Sequence, residues 1–218
     1  MTRRLTTAVA LAVVSALVAV PAASAKRKPP SCYRGGATLV AADGKTRIVR
    51  VKHKPGKQRT RDDALLACWT STGKRGEILR EQDFGDDFRE STQFQIVDGR
   101  WIGAFEDHEG GVTESTSALV YDAYNRKTLH TSAACDVERG DLTGIDDVAF
   151  LPNGGMAFAC NRLLMFKDRS STTPQELEPP GTFVLSLAVS LIHHGFGPRL
   201  YWTIEGANNQ QTTKSLPL

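Results

Sequence analysis

The chain has 218 residues, with 27 Lys and Arg against 24 Asp and Glu for a net charge of +3. Hydrophobic residues make up 40% and charged residues 23%, ordinary for a globular protein. Those fractions exclude collagen, a coiled coil, a disordered tail and a polytopic membrane protein.

Residues 1–25 read as a secretory signal. Arg3 and Arg4 form a positive start, Leu5 to Val20 is uncharged and mostly apolar, and Ala23-Ser24-Ala25 supplies a small-residue cleavage pattern. The apolar run falls short of the roughly 20 residues that span a bilayer. Loss of Arg3 and Arg4 leaves 25 basic residues against 24 acidic ones, a charge of +1. Residues 26–218 are expected to form one exported domain, secreted or held in the cell envelope, with no membrane span.

Cys32, Cys68, Cys135 and Cys160 all follow the signal. An even count in an exported chain predicts two disulfides. Of three possible pairings, Cys32–Cys68 and Cys135–Cys160 is expected, because each bond then staples neighbouring segments. No Cys-x-x-Cys exists to suggest zinc.

A repeat organises the rest. Asp43-Gly44, Asp98-Gly99 and Asn153-Gly154 each follow an apolar run, and their glycines are spaced 55 and 55 residues apart. Such dipeptides are strong hairpin markers, because a type I′ turn needs two residues that tolerate positive φ. Each is followed by a β-rich run: 47–51, 101–105 and 156–159, with 200–204 in a fourth, degenerate copy. Third strands are expected at 64–69, 118–121 and 163–166, and short fourth strands at 77–79, 128–130 and 176–178. Leu79 to Glu90 is the only mature stretch that offers even a short helical turn. The reading is all-β: four four-stranded antiparallel meanders, at about 37–80, 93–131, 146–178 and 183–218, the last with three strands. A period near 50 residues suits a propeller. An open two-sheet arrangement is the alternative.

Ala118-Leu119-Val120-Tyr121-Asp122-Ala123-Tyr124-Asn125-Arg126-Lys127 resembles the strand-turn-strand signature of β-propeller blades: an apolar run, an Asp, then a small turn with a basic residue after it. Residues 145–154, ending in Pro152-Asn153-Gly154, resemble the opening strand of six-bladed and quinoprotein-like propellers. The match is good over 94–178 and weak elsewhere. The whole chain also resembles secreted bacterial proteins without assigned activity. The resemblance implies a fold, and propellers host many chemistries. Closure of the ring would draw on Ala37 to Ala41, lent to the last blade.

In such meanders the longer connections share one face. These are His53 to Asp63, Glu81 to Thr92, Glu106 to Ser117, Ala133 to Gly144 and Glu205 to Gln211. Function usually sits on loops held by a scaffold. Residues 26–61 hold twelve basic side chains and one acid; residues 77–114 hold eleven acids and three Arg. The candidate binding residues on this face are Lys57, Arg59 and Arg61 for a polyanion, and Asp107, His108 and Glu109 as the densest group of potential ligands. The solvated-loop reading stands beside both, and Lys also blunts sheet edges. Trp69, Trp101, Trp202 and Phe158 are expected at comparable strand positions, as core rather than as a sugar stack.

No Gly-x-Ser-x-Gly, His-Glu-x-x-His or complete phosphate loop is present. No catalytic residue, metal ligand or cofactor is therefore assigned. The expected function is a non-catalytic binding module with a charged loop face. Its partner would be an anionic cell-surface polymer or another exported protein, not nucleic acid. The alternative is a hydrolase or lyase of a surface polymer using Asp107, Glu109 and Asp147.

Overall fold

The computed structural model describes residues 31–54, 61–83, 88–110, 113–131, 145–160, 163–191 and 197–218. The signal reading of residues 1–25 lies outside them. Among the described residues no helix is long and apolar enough to cross a membrane. Among the described residues regular structure is β apart from a 3-10 turn at Ala207–Asn209.

Among the described residues fifteen strands form four antiparallel sheets in chain order. The first holds β1 (Thr38–Asp43), β2 (Thr46–Lys52), β3 (Arg61–Trp69) and β4 (Lys74–Asp83). The second holds β5 (Phe88–Val97), β6 (Trp101–Gly110), β7 (Thr113–Asp122) and β8 (Lys127–Thr131). The third holds β9 (Ile145–Phe150), β10 (Met156–Cys160), β11 (Leu163–Lys167) and β12 (Gln175–Glu176). The fourth has three strands, β13 (Phe183–Ser190), β14 (Arg199–Glu205) and β15 (Gln211–Pro217). Each sheet is an up-and-down meander, as a propeller-like repeat requires. The sheets do not close into a barrel. Ala37 to Ala41 is not lent to the fourth sheet: Thr38–Asp43 pairs with β2 in the first.

Strands between two sheets must bury both faces, and the middle strands do so. β10 is buried at all five positions. Ile48, Ala67 and Ile78 meet Ile102, Leu119 and Tyr121 between the first and second sheets. Trp101, Ala118 and Val120 meet Phe150, Met156 and Phe158 between the second and third. Leu151, Ala157 and Leu164 meet Leu200 and Trp202 between the third and fourth. Polar ties repeat the same order. Thr46 Oγ1 donates to Gly99 O at 2.6 Å, the Ile145 amide donates to Thr116 Oγ1, and Trp202 Nε1 donates to buried Glu178 at 2.7 Å.

The three hairpin dipeptides close three different turns. Asp98 and Gly99 both have positive φ (52° and 59°), and Arg100 N donates back to Val97 O, as type I′ demands. At the first turn only Gly44 is positive, and Asp43 pairs with Thr46, so Gly44-Lys45 is the central pair. At the third, Gly154 N donates to Leu151 O around Pro152-Asn153, with Gly154 at φ +86°. There proline's fixed φ selects a type I turn, and the glycine follows it.

The largest departure from expectation is strand length. Glu106 to Ser117 is not a loop: β6 and β7 stay paired from Trp101↔Asp122 to Gly110↔Thr113. β4 and β5 likewise run to Asp83 and from Phe88, so residues 79–83 and 88–90 are extended where a short helical turn was expected, and 84–87 lie outside the described residues. Acidic and hydroxyl residues were read as connection because loops are hydrophilic. Paired strands can be hydrophilic too, and Thr suits a pleated surface. Trp69 also departs: it ends the third strand of its unit, whereas Trp101, Phe158 and Trp202 lie on second strands.

Cys32 and Cys68 form a disulfide with Cα atoms 5.8 Å apart. With Ala37 and Val49 they cover the outer face of the first sheet. Cys160 is also disulfide-bonded; its expected partner, Cys135, lies outside the described residues. The 36-residue separation of Cys32 and Cys68 predicts that replacing both by serine lowers stability by about 4 kcal/mol. Urea unfolding of parent and variant checks this; a loss under ~1 kcal/mol would show that the bond constrains little.

Candidate functional site

The first strands of the meanders run along one side of the stack. On that side the second and third sheets part, leaving a cleft of about 280 Å³. Gln93 and Gln95 of β5 form one wall. They alternate with Phe94 and Ile96, whose side chains pack towards the first sheet. Both glutamines are exposed, and neither amide is hydrogen-bonded within the protein among the described residues. The floor is apolar: Phe105, Val148 and buried Phe150.

Asp146 and Asp147 form the opposite wall. A register shift opposite Ala159 and Cys160 leaves Asp146 as the extra residue of a β-bulge. A bulge re-aims a side chain that regular alternation would turn away. Asp147 is anchored by two backbone donors: Val148 N at 2.8 Å and Leu187 N at 2.6 Å. The second of these belongs to the edge of β13, so Asp147 caps an outward amide there and ties the third sheet to the fourth. Asp146 is exposed.

Bulges also fall at Val40 in β1 and Leu185 in β13. Both are exposed apolar residues, 39% and 40% accessible. The same irregularity thus displays an aliphatic group on two first strands and a carboxylate on a third.

A second, shallower depression opens at the tight-turn end between the same sheets. Trp101 lies there under two guanidinium groups, Arg100 at 4.2 Å and Arg169 at 4.8 Å from the ring centre. Arg100 is held by Asp122, and Asp168 is engaged by Asn153 and Ser170. These groups are occupied with one another. Beside them His130 of β8 is buried against the third sheet. Burial lowers its pKa first, helped by the Lys167 charge, against the pull of Asp168, so the imidazole is neutral at pH 7.

Lys57 and Arg59 lie outside the described residues. Arg61 opens β3, opposite Asp83. Asp107, His108 and Glu109 follow one another in β6, opposite Ser91, Glu90 and Arg89 on one side and Thr116, Ser115 and Glu114 on the other. They sit in a paired strand rather than on a loop able to wrap an ion. Asp147, named only for the catalytic alternative, is the one nominated residue among the described residues that lines the cleft. Gln93, Gln95 and Asp146 were missed. A usable clue was present: Gln-Phe-Gln-Ile alternates in a strand that a stacked sheet should bury on both faces, so one face must stay open.

No known protein family matches the chain, and no curated protein resembles it in sequence.

Proposed function

We propose that this protein is an exported, non-catalytic binding module whose cleft holds an uncharged, hydroxyl-rich segment of an extracellular polymer. One observation carries the reading: two exposed side-chain amides and two carboxylates flank an aromatic floor. Amides donate and accept, and an apolar floor takes the C–H face of a saccharide ring. Such a ligand brings both features and no charge to be desolvated. A disulfide-bonded all-β chain fits the oxidising extracellular setting in which such polymers occur. Asp147 spends both oxygens on backbone donors, which favours a placing role over the proton transfer that the hydrolase alternative asks of it.

The test is calorimetric titration with soluble neutral and anionic polysaccharide fragments. Neutral fragments should bind the parent, and Gln93→Ala with Gln95→Ala should weaken that binding by ~10–100-fold, about 1 kcal/mol per hydrogen bond lost. The melting temperature should not move, because both residues are exposed. Charge reversal at Lys57, Arg59 and Arg61 should leave neutral fragments bound. Binding of anionic fragments alone, abolished by that reversal, would transfer the function to the basic segment and overturn the cleft.

A further inference from the structure

The fourth sheet differs from the others in a way that points to a partner. Among the described residues β15 is paired with β14 alone, where the three preceding sheets carry a fourth strand. The pairing fixes which backbone groups remain. Leu218 N donates to Pro198 O and Gly206 N to Gln210 O, so the even-numbered residues of β15 bond inward to β14. Antiparallel pairs alternate. The N–H and C=O groups of Gln211, Thr213 and Ser215 therefore point to the open edge. Pro217, next in that series, has no N–H and ends it.

Natural sheets blunt open edges with charge. The outermost strand of the first sheet does so, with Lys74, Arg75, Glu77, Arg80 and Glu81. β15 is Gln-Thr-Thr-Lys-Ser-Leu-Pro, with its first five residues exposed. Its one charge, Lys214, is neutralised by Glu178 at 2.8 Å on the face towards the third sheet. β15 thus brings no free charge of its own to this regular edge, and the nearest cation, Arg199 of β14, is engaged with Ser215 Oγ at 3.0 Å.

We propose that β15 pairs antiparallel with β15 of a second copy across a two-fold axis at Thr213. A two-fold makes paired residue numbers sum to a constant. The register centred on Thr213 sets Gln211 opposite Ser215 of the second copy and Thr213 opposite itself. It uses every outward donor and acceptor of the three residues and leaves Pro217 outside. It also sets Lys214 opposite Thr212, so the two lysines do not face each other. Thr203 and Thr213 already share a hydroxyl hydrogen bond of 3.1 Å on the outer face. The dimer extends that threonine row across the axis, and cross-strand threonine pairs are favourable. One strand pair buries little area, so the association is weak, with Kd on the order of micromolar.

Sedimentation equilibrium of the oxidised protein up to about 100 μM tests it. The parent should be a reversible dimer. Thr213→Lys and Thr213→Glu each put like charges at the axis. Each variant alone should associate at least ~10-fold more weakly, with circular dichroism and melting temperature unchanged. An equimolar mixture of the two should recover the dimer, because opposite charges then meet. A parent that stays monomeric overturns the proposal. So does a dimer indifferent to both charges, which would place the interface elsewhere. A monomer whose Thr213 and Ser215 amides are protected from hydrogen exchange also overturns it, assigning the edge to a strand of the same chain.

Discussion

Replacing Gly103 by alanine is expected to destabilise the protein by about 2–3 kcal/mol, and replacing it by valine by more. Gly103 lies in the middle of β6, facing the third sheet, where the Phe150 ring rests on its backbone. A Cβ there would fall inside the van der Waals radius of the ring atoms. Phe150 is buried in the apolar layer that joins the two central sheets, with Trp101, Met156 and Phe158 around it. A methyl group must therefore push two sheets apart or force the ring from its rotamer. Alanine would by itself favour a strand over glycine by about 0.5–1 kcal/mol, so the clash exceeds the net loss by about that amount. A double-mutant cycle isolates it. Phe150→Ala should cost about 3–5 kcal/mol through the cavity it leaves. Gly103→Ala added to that variant should instead stabilise by about 0.5–1 kcal/mol, a coupling of about 3 kcal/mol. Additive losses in guanidinium unfolding would show that the ring and the glycine are not in the contact described.

Asp122→Ala is expected to cost about 3 kcal/mol at pH 7. The carboxylate is fully buried at the end of β7 and serves five donors. Arg100 grips both oxygens at 3.2 and 2.8 Å, the Tyr124 and Asn125 amides reach Oδ1 at 3.0 and 3.1 Å, and Asn125 Nδ2 reaches Oδ2 at 2.7 Å. Removing the acceptor strands those donors and unties Arg100 from Trp101 and Tyr124. Breaking one side of a buried pair costs about 3–5 kcal/mol; the partly exposed guanidinium sets the lower end. Burial raises the Asp122 pKa, but the hydrogen bonds from Arg100 and Asn125 and the Arg100 charge outweigh it, so the carboxyl titrates below its ordinary range. A group with a depressed folded pKa contributes stability above its unfolded pKa and loses it as pH falls through the folded value. The parent should therefore weaken as pH falls below ~4, and Asp122→Asn should lose less over that range. Equal acid slopes in urea unfolding would remove Asp122 from the acid transition.

Asp122 was legible beforehand as part of a blade-like motif, though only as a motif. Its job follows from the turn it holds: Arg126 takes φ +59°, and Arg126 N donates to Asp122 O. The same division runs through the molecule. Hairpin glycines 55 residues apart, β-branched runs after them and the paired spacing of Cys32 and Cys68 are local or periodic properties. They determined an all-β repeat of four meanders and the first disulfide before any contact was known. Where a strand ends was less visible, because Glu106 to Ser117 has loop-like polarity and strand-like pairing.

The cleft belonged to tertiary structure alone. It exists because two sheets splay on the side of their first strands, and because one extra residue at Asp146 turns a carboxylate towards glutamines about fifty positions earlier in the chain. A bulge is decided by which partner strand has a residue to spare, a relation between segments that neither sequence encodes by itself. The edge at β15 has the same origin: its seven residues acquire meaning only when the three preceding sheets show a fourth strand and the last, among the described residues, shows three.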